Sequence, residues 1–489
     1  MFQKILLWLR ERINKMLGNQ TIKDALKIDT IMSQPMMTAL QSWVALYENR
    51  APWLMGEIKS LNIPAAISGE IARAVTIEMV VSITGEVAAI APDAAAPPEP
   101  APSKRADYLA QQFKPVQAKL RQQMEFACAK GGIMLKPWVR DGSVIVDFVA
   151  ADQFFPIAFD ANGDITACVF SDQRQIGDKF YTRLEYHSMN KDGCMITNSA
   201  YRSTTKENLG NECPLAEVEA WAGLQPVATI TKINKPLFAY FKFPAANNID
   251  SSSPLGVSCF SRAIELIEQC DRLWDNLLWE MESGKRAIDV DELAFDKDDQ
   301  DRPILPNRRL YRTYKQSGAQ IGSGKSDLFQ EWSPTYREAN ILNALESVLK
   351  RIEFNCSLAY GTLSDPNSVS ATATEIISQK QRSYALVMDC QNALATTLDQ
   401  LLYAMDVWVT LAKLAPKGTY ATSYDFDDSI VVDSQQMFMQ DSQAVSMQIM
   451  PKYIFAMRNF GLTETQAKKW IEDFTAEMPE PAPDEFAGA

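Results

Sequence analysis

The run Gly318 to Ser326, GAQIGSGKS, ends in the Gly-Lys-Ser of a phosphate-binding loop. Such a loop curls its backbone amides around phosphates and needs a glycine five positions before its last one. Ala319 holds that position, and Gly318 stands one residue too early. The residues that follow, Asp327 to Pro334, do not read as the helix that a phosphate loop must open. The run is better explained as a flexible hairpin tip. Two acidic clusters, Asp296 to Asp301 and Asp425 to Asp428, have the oxygen ligands that divalent cations take. The first lacks EF-hand spacing and its distal glutamate, and such clusters read by default as solvated turns. Metal-dependent nuclease chemistry would also need carboxylates converging from separate elements. His187 is the single histidine, and the eight cysteines are scattered without a Cys-x-x-Cys pair. That composition disfavours a zinc site and excludes any mechanism needing two histidines. No cofactor is expected.

One basic and aromatic patch remains. Arg302, Arg308, Arg309, Arg312 and Lys315 interleave with Tyr311 and Tyr314. Such residues can contact phosphate and stack on bases. On a strand, alternate residues face opposite sides, so half of the patch would be free for protein contacts. A subunit or partner interface and direct DNA contact are both open readings.

The elements that must position these residues are mostly helical. Residues 1–90 read as helices, with Ile67 to Ile83 apolar on more than one face and so well buried. In the first of them Phe2, Ile5, Leu6, Leu9, Ile13, Met16 and Leu17 follow helical spacing. That start reads as a helix packed on its own protein or on a neighbouring subunit, and is too short and charged for a signal peptide. A Pro/Ala stretch covers 91–104, and a helix with Tyr108, Leu109, Phe113, Val116, Leu120 and Met124 fills 105–130. From Ile133 to Phe243 short alternating runs are punctuated by Asp141-Gly142, Asn162-Gly163 and Asp192-Gly193, the signature of antiparallel hairpins. An amphipathic helix over 257–282 carries Phe260, Ile264, Ile267, Trp274, Leu278 and Met281 on one stripe. A turn-rich insert follows, and then a second helix over 335–358 with Ile341, Leu345, Val348, Leu349, Ile352 and Phe354. After a polar loop, Thr372 and Glu375 form a capping box. The helix they open meets no Gly or Pro before Pro416. Residues 434–475 are helical again, with a break near Gly461, and the tail is acidic and Pro-rich.

Bulk properties set limits. At 489 residues, 46% apolar and 22% charged, the chain has a folded composition and needs no disulfides. Its net charge of −13 argues against wrapping nucleic acid, though not against letting it pass. No segment is long and apolar enough for a membrane span.

The order of these parts resembles the portal proteins of long-tailed bacteriophages, best over residues 250–432. The resemblance rests on the helix–insert–helix unit, the loop at 361–371, and Thr372-Ala373-Thr374-Glu375-Ile376 opening the long helix. It implies an α+β protomer divided as follows. Residues 1–90 and 105–255 are wing, joined by the linker 91–104. Residues 256–284 and 333–360 are stem helices flanking a clip at 285–332. The tunnel loop is 361–371, the long wing helix with a strand lead-in 372–425, the crown 426–475, and the disordered tail 476–489. It implies that Thr362, Ser364, Asp365, Asn367, Ser368 and Ser370 reach a DNA channel. Stem residues Glu265, Glu268, Asp275 and Glu282 would form an acidic face past which DNA slides without sticking. Arg308, Arg309, Arg312 and Lys315 would serve the clip as interface or DNA contact. The implied assembly is a homo-oligomeric ring of about twelve subunits. It sits at one capsid vertex of the virion after synthesis in the host cytoplasm. Double-stranded DNA passes through it, and terminase, head-completion or adaptor proteins, and major capsid and scaffold proteins are its partners. It implies no enzyme and no membrane. The rival expectations are another phage or secretion-system scaffold, and a metal- or nucleotide-dependent enzyme.

Overall fold

The computed structural model of the chain describes residues 19–54, 56, 58–77, 79–86, 101–206, 208–284, 287–291, 296, 304, 311–314, 329–332, 337–365, 373–426, 434–447, 449–460, 462 and 466–471. Three helices come first: α1 (Asn19–Leu26), α2 (Gln34–Tyr47) and α3 (Ile63–Thr76). The helix expected to reach Ile83 ends at Thr76, and strand β1 (Met79–Thr84) follows. The cause is local. Val80, Val81, Ile83 and Thr84 are β-branched, which costs rotamer freedom in a helix and suits a pleated surface. Burial alternates along the strand, with Met79 and Ile83 inside and Val80 outside. Its partner is far along the chain: β14 (Ala421–Phe426) pairs antiparallel, with Met79 opposite Phe426 and Thr84 opposite Ala421.

Helix α4 (Lys104–Lys130) covers the span expected for it. The Ser103 hydroxyl caps it by accepting from the Ala106 amide. The apolar stripe Leu109, Phe113, Val116, Leu120 and Met124 is buried as its spacing requires. The helix stops at Gly131, whose φ of +85° and close approach to the Gly256 carbonyl leave no room for a Cβ. Strands β2 (Gly132–Arg140) and β3 (Ser143–Ala150) then form a hairpin. Asp141 and Gly142 close it, both at positive φ, as a two-residue primed turn demands.

Two antiparallel sheets fill the predicted β region. One has the order β10-β2-β3, with β10 at Ala239–Lys242. The other runs β4-β5-β6-β7-β8, comprising Phe154–Phe159, Ile165–Ile176, Lys179–Asn190, Gly193–Ser203 and Asn211–Cys213. In it β9 (Val227–Thr231) also pairs with β7.

Helix α5 (Ile264–Ser283) begins later than expected, because Val257 to Phe260 are buried in a turn where Ser258 Oγ accepts from the Phe260 amide. A small sheet of order β12-β11-β13 (Tyr311–Tyr314, Ala287–Asp291, Phe329–Trp332) separates it from α6 (Glu338–Asn355). Helix α7 (Ala373–Leu411) spans 39 residues without interruption, the long helix that the sequence predicts. Its second half lies on β10 and β2, burying Leu394, Leu398, Leu401, Leu402, Met405 and Val409. Gln400 Nε2 donates to the Pro236 carbonyl at 2.7 Å along the same contact. The last helices are α8 (Ser434–Ser446) and α9 (Lys452–Phe460). The break between them, ahead of Pro451, is an additional one that the apolar spacing did not disclose. The main core thus lies where α2, α3, α4 and α7 meet the β10-β2-β3 sheet, giving a mixed α+β architecture.

Candidate functional site

Helices α5 and α6 form an antiparallel pair. Arg337, at the start of α6, reaches Glu280 near the end of α5 at 2.9 Å. Ile267, Cys270 and Leu277 of α5 are buried, as are Leu345, Leu349 and Ile352 of α6. The stripe is incomplete toward the insert. Met281, expected on the packed line, is 54% exposed, Trp279 is 66% exposed, and Leu342 on α6 is 46% exposed. Met281 continues the helical line of buried residues, but it stands open to water. Phe354, also expected inside, is exposed and carries the Arg382 guanidinium over its ring at 4.2 Å.

The acidic residues of α5 divide into two sets. Glu265 and Glu282 are exposed. Glu268 pairs with Arg272 at 2.7 Å, four residues along the helix. Asp275 accepts from the Lys59 amide at 3.1 Å. Asp271 is buried and accepts from Trp53 Nε1 and from the Leu61 amide, both at 2.9 Å. Part of the expected acidic face therefore holds Trp53, Lys59 and Leu61 against the helix.

Beyond α6 the chain turns sharply. Ser357 takes a left-handed φ of +57°, and the Leu358 amide returns to the Glu353 carbonyl at 2.9 Å, a Schellman closure. Thr362 and Asp365 are exposed, as loop residues should be. Ser364 is not. It is 4% exposed, and its hydroxyl donates to Glu353 at 2.9 Å, so it belongs to the root of the loop rather than to a surface facing a channel. Asn367, Ser368 and Ser370 lie outside the described residues, as do Arg308, Arg309 and Lys315. Arg312 lies on β12, opposite Asp289 of β11 in parallel register. The Gly318–Ser326 run and most of the two acidic clusters also lie outside the described residues. The strand β13 that follows the run is not the helix a phosphate loop needs.

Sequence reasoning passed over Glu353, which is fully buried. A signal was present: it sits among Leu349, Ile352 and Cys356 on the buried face of α6. His187 is likewise buried, 2.7 Å from Glu185, which also meets Lys136 at 2.7 Å and Arg183 at 2.8 Å. All eight cysteines are free and buried, and burial pushes the Cys259 and Cys270 thiols up to about 12. A cleft of about 1350 Å³ opens between α2, the first turns of α5 and the last turns of α6, lined by Trp43, Arg262, Glu265, Lys350 and Phe354 among others. Among the described residues, no group of three or more His, Cys, Asp or Glu is placed to hold a metal ion. No helix among them is long and apolar enough to cross a membrane.

A family model described as phage portal protein, SPP1 Gp6-like, matches residues 111–480. No curated protein matches the chain. Among solved structures, the neck of a native GTA particle computed with C12 symmetry is similar at 8% identity and a TM-score of 0.42, covering 90% of this chain and 98% of its own.

Proposed function

The chain belongs to the SPP1 Gp6-like family of phage portal proteins, and from that membership we propose that it forms the ring at one capsid vertex through which double-stranded viral DNA is packaged and later ejected. The observation that carries the ring is the uncovered end of the α5–α6 pair. Trp279 and Met281 on one helix and Leu342 on the other are large, apolar and open to water. Exposed apolar area of this kind contributes roughly 25 cal/mol per Å² when a partner covers it. Two different faces on one protomer pair head to tail, and a head-to-tail contact repeated by the right rotation closes a ring. About twelve subunits is the count that the portal reading implies.

In this reading α5 and α6 are the stem, and the exposed Glu265 and Glu282 belong to its acidic face toward DNA. An acidic lining lets a polyanion slide where a basic one would retain it. The loop approaches the axis with Thr362, Asp365, Asn367, Ser368 and Ser370. The small sheet β11–β13, with Arg308, Arg309, Arg312 and Lys315, is the clip, where terminase docks first and head-completion or adaptor proteins later. Major capsid and scaffold proteins meet the outer body. The chain acts as a conduit, and ATP hydrolysis belongs to the terminase. Native mass spectrometry and electron microscopy of the purified protein test this. Closed rings with an axial hole are expected. Monomers or two-fold dimers alone, at every concentration, would overturn it.

A further inference from the structure

Three consecutive backbone amides at the start of the 361–371 loop all donate to carboxylates of α6. Leu363 and Ser364 give their N–H groups to Glu353 Oε1 at 2.6 and 2.9 Å. Asp365 gives its own to Glu346 Oε1 at 2.9 Å. The Ser364 hydroxyl completes the set by donating to Glu353 Oε2 at 2.9 Å while accepting from the Gly361 amide at 3.0 Å. Glu346 and Glu353 are seven residues apart, two helical turns, and so lie on one face of α6. Glu353 has no exposed surface, and among the described residues no cation pairs with it.

A buried carboxylate without a counter-ion must be solvated by N–H and O–H dipoles. Here the loop itself supplies them. Successive amides directed at one anion form a nest, the arrangement that elsewhere binds phosphate. The dependence runs both ways: the charge needs the loop backbone in this path, and the backbone is held there by bonds to a charged acceptor, the stronger class of hydrogen bond.

We propose that Glu353, seconded by Glu346, is the positioning residue of this loop: it fixes residues 363–365 on the stem and so sets the point from which the rest of the loop departs. This deepens the portal reading, because a loop approaching a DNA channel must depart from the same place in every subunit. A glutamine can take the same place. Its single oxygen receives the two amides, and its NH2 group donates to Ser364 Oγ, whose own proton is free to turn away. An alanine cannot.

Hydrogen exchange on the assembled protein separates these cases. In the wild type and in Glu353→Gln the 363–365 amides should exchange slowly. In Glu353→Ala the 363 and 364 amides should exchange roughly ten- to hundredfold faster, with the amides of α6 unchanged. Glu346→Ala, at a partly exposed site, should accelerate only the 365 amide, and it carries the test if Glu353→Ala does not fold. Unchanged exchange in both alanine variants would overturn the proposal, and so would acceleration spread evenly along α6. The DNA retained per particle should fall in Glu353→Ala and recover in Glu353→Gln. If exchange accelerates while packaging stays complete, the positioning role stands and the DNA-passage reading of the loop fails.

Discussion

Among single residues, Glu185 has the most to lose. It lies on β6, and Lys136 reaches it from β2 of the other sheet, so one carboxylate ties the two sheets together. Burial alone would raise its carboxyl. Lys136 first, then His187 and Arg183, outweigh burial and hold it well below its ordinary value of 4.5. The folded group therefore binds its proton at lower pH than the unfolded one. Its contribution is complete above pH 4.5 and is lost as pH falls from there toward the folded value. Glu185→Gln should cost about 3–5 kcal/mol at neutral pH, because Lys136 and Arg183 stay buried without their partner. Denaturant melts from pH 7 to 3 check this: the gap between wild type and variant should hold at neutral pH and narrow only on the acid side. His187 joins the cluster through a ring nitrogen 2.7 Å from Glu185. The cluster itself was not legible, because Lys136 and Glu185 are brought together only by the packing of one sheet on another.

Where the chain repeats a periodic pattern, the elements could be read in advance. The α4 stripe from Leu109 to Met124, the hairpin at Asp141-Gly142 and the unbroken α7 all follow from local spacing and turn chemistry. Strand β1 did not, since its apolar run continues that of α3 and only the β-branched residues mark the change. The acids of α5 show a different limit. Their spacing puts them on the helix surface, but the partners of Asp271 lie more than two hundred residues away, at Trp53 and Leu61. Asp271→Ala should release the 53–61 segment and lower stability by about 3 kcal/mol, the loss of two bonds to a buried charge. Calorimetry gives the magnitude, and limited proteolysis should show new cleavage near Lys59. Unchanged melting with Lys59 still protected would show that the strap is unimportant.

For the whole molecule, the exposed end of the α5–α6 pair makes assembly separable from folding. Replacing Trp279 and Met281 by serine should leave the protomer's melting temperature within a degree or two, because both side chains already face water. The same change should shift rings toward free protomers by at least tenfold in native mass spectrometry. Rings as stable as the wild type would place the subunit contact elsewhere. The β1–β14 ladder bears on how the protomer is made. Thr84 waits for Ala421, so strand β1 can pair only after several hundred further residues have left the ribosome. At roughly 5–20 residues per second that delay is tens of seconds, during which Val80 and its neighbours form an open strand edge. A chain whose synthesis stops early never completes that ladder. The pairing thus works as an inspection step that only a polypeptide extended through Phe426 can pass.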